Sequence, residues 1–343
     1  MSAKKILIIG PSWVGDMVLA HSLFQSLKAQ NPDVIIDVAA PAWTLPLLER
    51  MPEVNLGIAL PFKHGQFALS ERIRFGRSLK NKGYLQAILL VNSLKSAILP
   101  FAAGIPQRTG FLSEYRYGLL NDIRQLDKTK LPRTVDRFVA LGLDKNQDLS
   151  RSNAKTYNPK LVANRDLALQ ILRKHGFSEP TQKILGLCPG AEYGEAKRWP
   201  AEYYAEVANA ALSKGWNVWL FGSDKDIPVT TAINNLAQNR CQDWGGKTKL
   251  GEAIDLMSLC DTVISNDSGL MHVAAALDKK LIAIYGSSNP LHTPPMSPSA
   301  VVEYLGLSCS PCFKRECPLS NPSAHLACLK QIKPELIIRE IGI

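Results

Sequence analysis

The sequence predicts an α/β protein of GT-B type, built from two Rossmann-like domains that each carry a parallel sheet flanked by helices. Three observations point there. Short β-rich runs alternate with longer amphipathic stretches along the chain. Its 343 residues exceed what one ordinary core organises, at about 150 residues per domain. The polar stretch 144–159, which has neither period, separates two such series.

The elements follow in order. Residues 5–9, 34–39 and 85–91 are apolar runs of strand length. Between the first two, 16–30 places Met17, Ala20, Leu23, Phe24 and Leu27 at helical spacing, and Pro32 closes the segment. A strand–turn–helix–strand unit therefore opens the chain. After the linker, a helix over 161–175 leads to strands at 183–188, 216–221, 262–265 and 281–285. These readings give domains 1–160 and 161–343.

Composition excludes several classes. With 46% hydrophobic and 20% charged residues the chain is a folding one, not a disordered one. No apolar stretch approaches the roughly 18–20 residues that span a bilayer. The run 6–9 is too short for a signal-peptide core before Gly10, Pro11 and Asp16, so a cytoplasmic protein is expected. Seven cysteines, an odd number in a long chain, argue for reduced thiols or a metal site over a disulfide framework. The net charge of +10 calls for anionic partners: nucleic acid, a membrane surface, or phosphorylated or carboxylated substrates. All of the excess lies in the first half, with 22 basic against 12 acidic residues in 1–160 and 18 against 18 in 161–343.

Three candidate sites are turns between a strand end and a helix start, where a ligand can approach the backbone. The first, 10–17, contains Ser12, Gly15 and Asp16. Asp16 is read as a helix N-cap or a general base, and the two roles are compatible. The second, 189–200, carries Glu192, Tyr193, Lys197 and Arg198. Two adjacent cations on a glycine-bearing loop suit a diphosphate, the alternative being a solvated basic turn. The third, 265–272, offers Ser268 and Gly269 at a helix start, Asp267 as a cap or ligand, and His272 one turn on, either a site residue or a packed, hydrogen-bonded one.

Two further features stand apart. Cys309, Cys312, Cys317 and Cys328, within the segment 308–329, are read equally as a structural Zn or Fe site or as free thiols. The stretch 63–82 sets Lys63, Arg72, Arg74, Arg77, Lys80 and Lys82 among Phe67, Leu69, Ile73, Phe75 and Leu79. It is either a basic amphipathic face for an anionic membrane or a solvated helix face over a core stripe.

Together and in chain order, ILIIGPSWVGDMVLAHSLFQSLK, IDVAAPAW, FAAGIPQRTGF with EYRYGLLND, LCPGAEYGEAKRWP, SNDSGLMHVAAAL and IYGSSNP resemble the lipopolysaccharide heptosyltransferases, glycosyltransferase family nine. The resemblance spans nearly the whole chain. It implies two Rossmann-like domains, the first binding the acceptor and the second the sugar nucleotide. It also implies inverting transfer of L-glycero-D-manno-heptose from ADP-heptose to the heptosyl-Kdo-lipid A inner core of lipopolysaccharide, without a catalytic metal. By position Asp16 matches the general base, Lys197 the diphosphate lysine, and Asp267, Ser268, Gly269 and His272 the sugar-nucleotide loop. Ser12, Gly15, Glu192, Tyr193, Asp224 and Thr248 complete the expected donor set. Lys63, Arg72, Arg108 and Arg116 are the expected contacts for acceptor acids, on a protein peripheral to the inner leaflet. The four-cysteine segment occurs in only part of the family, so it is not essential to the shared chemistry. Open alternatives are another member of the same family, a GT-B nucleotide-sugar epimerase, which needs no acceptor, and a nucleic-acid-binding protein. The last is suggested only by charge, and no recognisable nucleic-acid motif supports it.

Overall fold

The structure is a computed structural model that describes residues 3–62, 65–145, 147 and 155–343. It forms two compact units that divide between Val162 and Ala163. The first contains β1 (Lys5–Ile9), β2 (Ile35–Ala40), β3 (Leu56–Ala59), β4 (Gln86–Leu89), β5 (Gln107–Phe111) and β6 (Asp122–Arg124). Their sheet order is β3-β2-β1-β4-β5-β6, and every pairing is parallel. The second contains β7 (Ile184–Cys188), β8 (Asn217–Leu220), β9 (Gln242–Asp243), β10 (Thr262–Asn266), β11 (Lys280–Ile284) and β12 (Ala300–Glu303). Its order, β12-β11-β10-β7-β8-β9, is again all parallel.

Counted from each unit's own first strand, the two orders are identical. In this order the chain winds outward from the first strand to one edge, then restarts beside it and winds to the other. The crossover segments on the two sides leave in opposite directions, which opens a crevice at the carboxyl ends where the direction reverses. That reversal lies between β1 and β4 in one unit and between β7 and β10 in the other.

Helices cover the sheets, so the central strands are buried on both faces and their sequences are continuous apolar runs. One core packs Leu7, Ala87 and Leu89 with Leu79, Leu99 and Tyr84. The other packs Leu185, Leu187, Ile264 and Ile282 with Trp199 and Tyr204, and the helix Pro334–Ile341 closes it through Ile337 and Ile341.

Two boundaries differ from the sequence reading. The opening helix is Val14–Gln30, with Trp13 as N-cap. Asp16 is therefore no cap but lies in the first turn, where its negative charge still complements the helix dipole. The helix expected over 161–175 is Arg165–Lys174, started by Asn164, whose side chain accepts from the Leu167 amide at 3.1 Å. Val162 belongs instead to the first unit, donating its N–H to the Arg50 carbonyl at 2.9 Å. Among the described residues no helix is long and apolar enough to cross a membrane.

Candidate active site

In the second unit, β7 and β10 end side by side at the reversal point. The loop after β7 is shaped by close approaches that only glycine permits. A Cβ on Gly190 would lie 2.4 Å from the Asp226 carboxylate, and one on Gly194 would lie 2.4 Å from the Arg315 carbonyl oxygen. A short helical turn, Glu195–Lys197, then directs Lys197 Nζ to Asp267 Oδ2 at 2.6 Å. The same ammonium sits 5.1 Å from the centre of the Tyr193 ring.

Asp267 follows β10 and is 5% exposed. It also accepts from Ser288 Oγ, on the loop after β11, at 2.5 Å. The preceding Asn266 fastens three segments. Its Oδ1 accepts from the Trp199 amide at 3.0 Å and the Tyr204 hydroxyl at 3.1 Å, and its Nδ2 donates to the Pro189 carbonyl at 2.6 Å. The lysine–aspartate pair is thus held by buried, satisfied hydrogen bonds on both strand ends. Ser268 is the N-cap of the helix Gly269–Ala276, so the positive end of that helix dipole adjoins Asp267. A cation and a helix start together are an arrangement that can hold a diphosphate.

The other second-unit candidates fall around this pair. Glu192 is ion-paired with Lys225, and the Tyr193 hydroxyl donates to the Phe313 carbonyl at 2.7 Å. Asp224 begins the short turn Asp224–Asp226 after β8 and lies beside Gly246, in the same loop as the half-buried Thr248. His272 is buried, and its Nδ1 has no hydrogen-bond partner among the described residues. The packed, hydrogen-bonded reading of this histidine is therefore met only in its packing.

Burial pushes the His272 imidazole down to about 4, with Lys197 adding to the effect and Asp267 opposing it. The folded state then stays neutral through a range in which the unfolded chain, titrating near 6.5, takes up a proton. Stability from this group is fully present above pH 6.5 and is lost as pH falls toward 4, by about 3 kcal/mol at most. Urea unfolding followed by tryptophan fluorescence across that window shows a falling midpoint, and His272→Gln flattens the slope.

The four cysteines are free; Cys309 is exposed and Cys312, Cys317 and Cys328 are half-buried. Among the described residues no group of three or more His, Cys, Asp or Glu side chains is arranged to hold a metal ion. Burial and the neighbouring Cys309, Cys312 and Cys317 push the Cys328 thiol up to about 11. The segment has a visible structural task. Its Arg315 carbonyl accepts from the Ala196 amide at 2.9 Å, supporting the turn that carries Lys197.

In the first unit, Ser12 and Gly15 lie on the turn from β1 into the helix that carries the half-buried Asp16. Trp43 Nε1 donates to the Ser12 carbonyl at 3.1 Å. The three described arginines expected to contact acceptor acids make the following contacts within their own unit. Arg116 is fully buried, with NH1 donating to the Val91 carbonyl at 2.8 Å and NH2 to the Phe111 carbonyl, and burial lowers its guanidinium to about 10. It fastens the loops after β4 and β5. Arg108 lies near the amino end of β5, where it donates to the Leu119 and Ile105 carbonyls at 2.6 Å each. Arg72 is 6% exposed and turned inward, so it is not part of an outer basic face. Its helix, Leu69–Ser78, packs Phe75 against the core, which Leu79 just after it joins, and leaves Arg74 and Arg77 in solvent, where Lys80 and Lys82 of the turn that follows also lie. Lys63 lies outside the described residues.

Asn266 and Ser288 were not singled out by the sequence reading. Their signal was position alone, each falling within a few residues of the carboxyl end of a central strand.

Two doubly wound units with ligand-ready turns at both reversal points define the GT-B class of sugar-nucleotide enzymes. The chain belongs to glycosyltransferase family 9 (heptosyltransferase), whose model matches residues 72–322. It is 48% identical over 305 residues to lipopolysaccharide heptosyltransferase 2 of Salmonella typhimurium, covering 87% of each chain. It is 47% identical over 307 residues to the Escherichia coli protein of that name, again with 87% of each covered. The solved structure of E. coli ADP-heptose LPS heptosyltransferase II superimposes with a TM-score of 0.86 at 42% identity, covering 98% of this chain and 97% of that one.

Proposed function

We propose that this chain transfers L-glycero-D-manno-heptose from ADP-heptose onto the heptosyl-Kdo-lipid A inner core, adding the second heptose with inversion. The observation that carries the reading is the Lys197–Asp267 pair beside the helix start at Ser268, in a chain so similar to heptosyltransferases 2.

In a single displacement the acceptor oxygen forms a bond to the anomeric carbon as the bond to the β-phosphate oxygen breaks. Asp16 takes the acceptor's proton. The leaving ADP gains negative charge, which Lys197 and the amides at Ser268–Gly269 stabilise most strongly in the transition state. Asp267 holds the ammonium in place before donor arrives. These groups do the work that a divalent cation does in many sugar-nucleotide enzymes. Asp224 and Thr248, after β8 and β9, contact the nucleoside, and the exposed cations at 74–82 meet the anionic inner leaflet where the acceptor is anchored.

Acceptors bearing no, one or two heptoses test the assignment. Turnover is expected with the one-heptose acceptor. Turnover only with the heptose-free acceptor would move the chain to the enzyme that adds the first heptose.

A further inference from the structure

The cations around the loop after β7 are unequally engaged. Lys197 is paired with Asp267 at 2.6 Å, so the pair brings no net charge to a ligand. Lys225 is ion-paired with Glu192, and Arg198 donates through Nε and NH2 to the Ala191 carbonyl at 3.3 and 3.2 Å. Arg315, between Cys312 and Cys317, is different. It is exposed, and its guanidinium lies 5.6 Å from the centre of the Tyr193 ring, the ring that Lys197 Nζ approaches to 5.1 Å. Its side chain has no carboxylate partner among the described residues.

The backbone beneath this side chain is fastened to both loops that hold the lysine–aspartate pair. The Arg315 carbonyl accepts from the Ala196 amide, in the turn that carries Lys197. Two residues earlier, the Phe313 amide donates to the Ser287 carbonyl at 2.7 Å, and the Phe313 carbonyl accepts from the Tyr193 hydroxyl. The Ser287 amide in turn donates to the Ala196 carbonyl at 3.2 Å, and the adjoining Ser288 is the residue that bonds Asp267. The Lys197 turn, the loop after β11 and residues 313–315 therefore form one hydrogen-bonded assembly, and Arg315 is the cation in it without a carboxylate partner among the described residues.

Two cations beside one ring repel each other, and an anion within reach of both relieves the repulsion. A sugar-nucleotide diphosphate carries a negative charge on each phosphate and gains another as the glycosidic bond breaks. A lysine already balanced by a carboxylate meets only part of that charge. We propose that Arg315 is a second diphosphate-binding cation, supplied by the cysteine-rich segment and reaching past Tyr193 to the phosphates that Lys197 also meets. Its guanidinium fork takes two phosphate oxygens at once, which an ammonium cannot do. The Tyr193 ring keeps both cations at hand before the donor arrives. The inference rests on the reading of this loop as the donor's diphosphate site.

Calorimetric titration of the whole chain with ADP and with adenosine tests the role. Arg315→Gln is expected to weaken ADP binding about tenfold and to leave adenosine affinity and the circular dichroism spectrum as in the parent. Arg315→Lys keeps the charge without the fork and falls between the two. Added salt narrows the gap between the parent and Arg315→Gln, because an exposed charge is screened. The proposal is overturned if Arg315→Gln binds ADP within about twofold of the parent. It also falls if adenosine affinity drops as far as ADP affinity, the mark of a merely structural role. Lys197→Ala separates this inference from the reading beneath it. Loss of ADP affinity in Lys197→Ala but not in Arg315→Gln overturns the role of Arg315 alone, whereas affinity kept in both variants overturns the diphosphate reading as well.

Discussion

Asp16→Ala lowers kcat by about 10²–10⁴-fold and leaves ADP affinity unchanged. The magnitude is that of removing a positioned general base. The split between kcat and affinity follows from placement, because Asp16 is in the first turn of Val14–Gln30 and the diphosphate candidates belong to the second unit. Asp16→Asn keeps shape and removes the proton acceptor, so it should fall as far as alanine. Single-turnover kinetics with saturating donor, paired with ADP titration, read both quantities. A carboxylate that served only the helix dipole would cost stability of about 0.3–1 kcal/mol and little turnover. An undiminished rate in Asp16→Asn would remove Asp16 from the chemistry.

Lys197→Ala is expected to lower kcat/KM by about 10²–10³-fold and to weaken ADP binding as well. Two effects combine. The ammonium that would meet the leaving diphosphate is gone, and Asp267, 5% exposed and normally paired at 2.6 Å, is left as an uncompensated carboxylate where an anion must bind. The second effect makes a sharp test. Asp267→Asn on top of Lys197→Ala should recover part of the lost ADP affinity, because it removes the repulsion, although Asp267→Asn alone weakens the site by freeing Lys197. Double-mutant analysis of ADP affinity measures that coupling. Additive losses would mean that the two side chains do not act as one unit on the diphosphate.

The central strands were legible because burial on both faces leaves a continuous apolar run, as in Ile6–Ile8 or Leu281–Ile284. The unread strands were β3, β6, β9 and β12, which are the four sheet edges, and β5, which borders one of them. An edge strand faces solvent along one side and is short, so Leu56–Ala59 and Gln242–Asp243 carry no such run. The turns were legible for a different reason: glycine, proline and charge cluster wherever a strand end must stay open. The arginines were not. A guanidinium reads as surface charge in sequence, yet it is also the side chain best able to tie several carbonyls in a crowded interior. Arg116 and Arg108 do that, and only the fold shows which carbonyls need them. Arg72 does the same for the Phe67 and Gln66 carbonyls, with its guanidinium against the Phe62 ring.

The charge surplus of the first unit also takes on structure. Some of its cations are fasteners and some are exposed along 74–82. The balanced second unit needs no surplus, because one lysine placed beside a helix start can meet a diphosphate.

The most direct measurement incubates the chain with ADP-heptose and one-heptose Kdo-lipid A, following ADP release, product mass and the anomeric configuration of the new linkage. The account predicts ADP release that depends on acceptor, a product heavier by one heptose, and an inverted anomeric centre. ADP release or sugar rearrangement without acceptor, or a product with retained configuration, would contradict it.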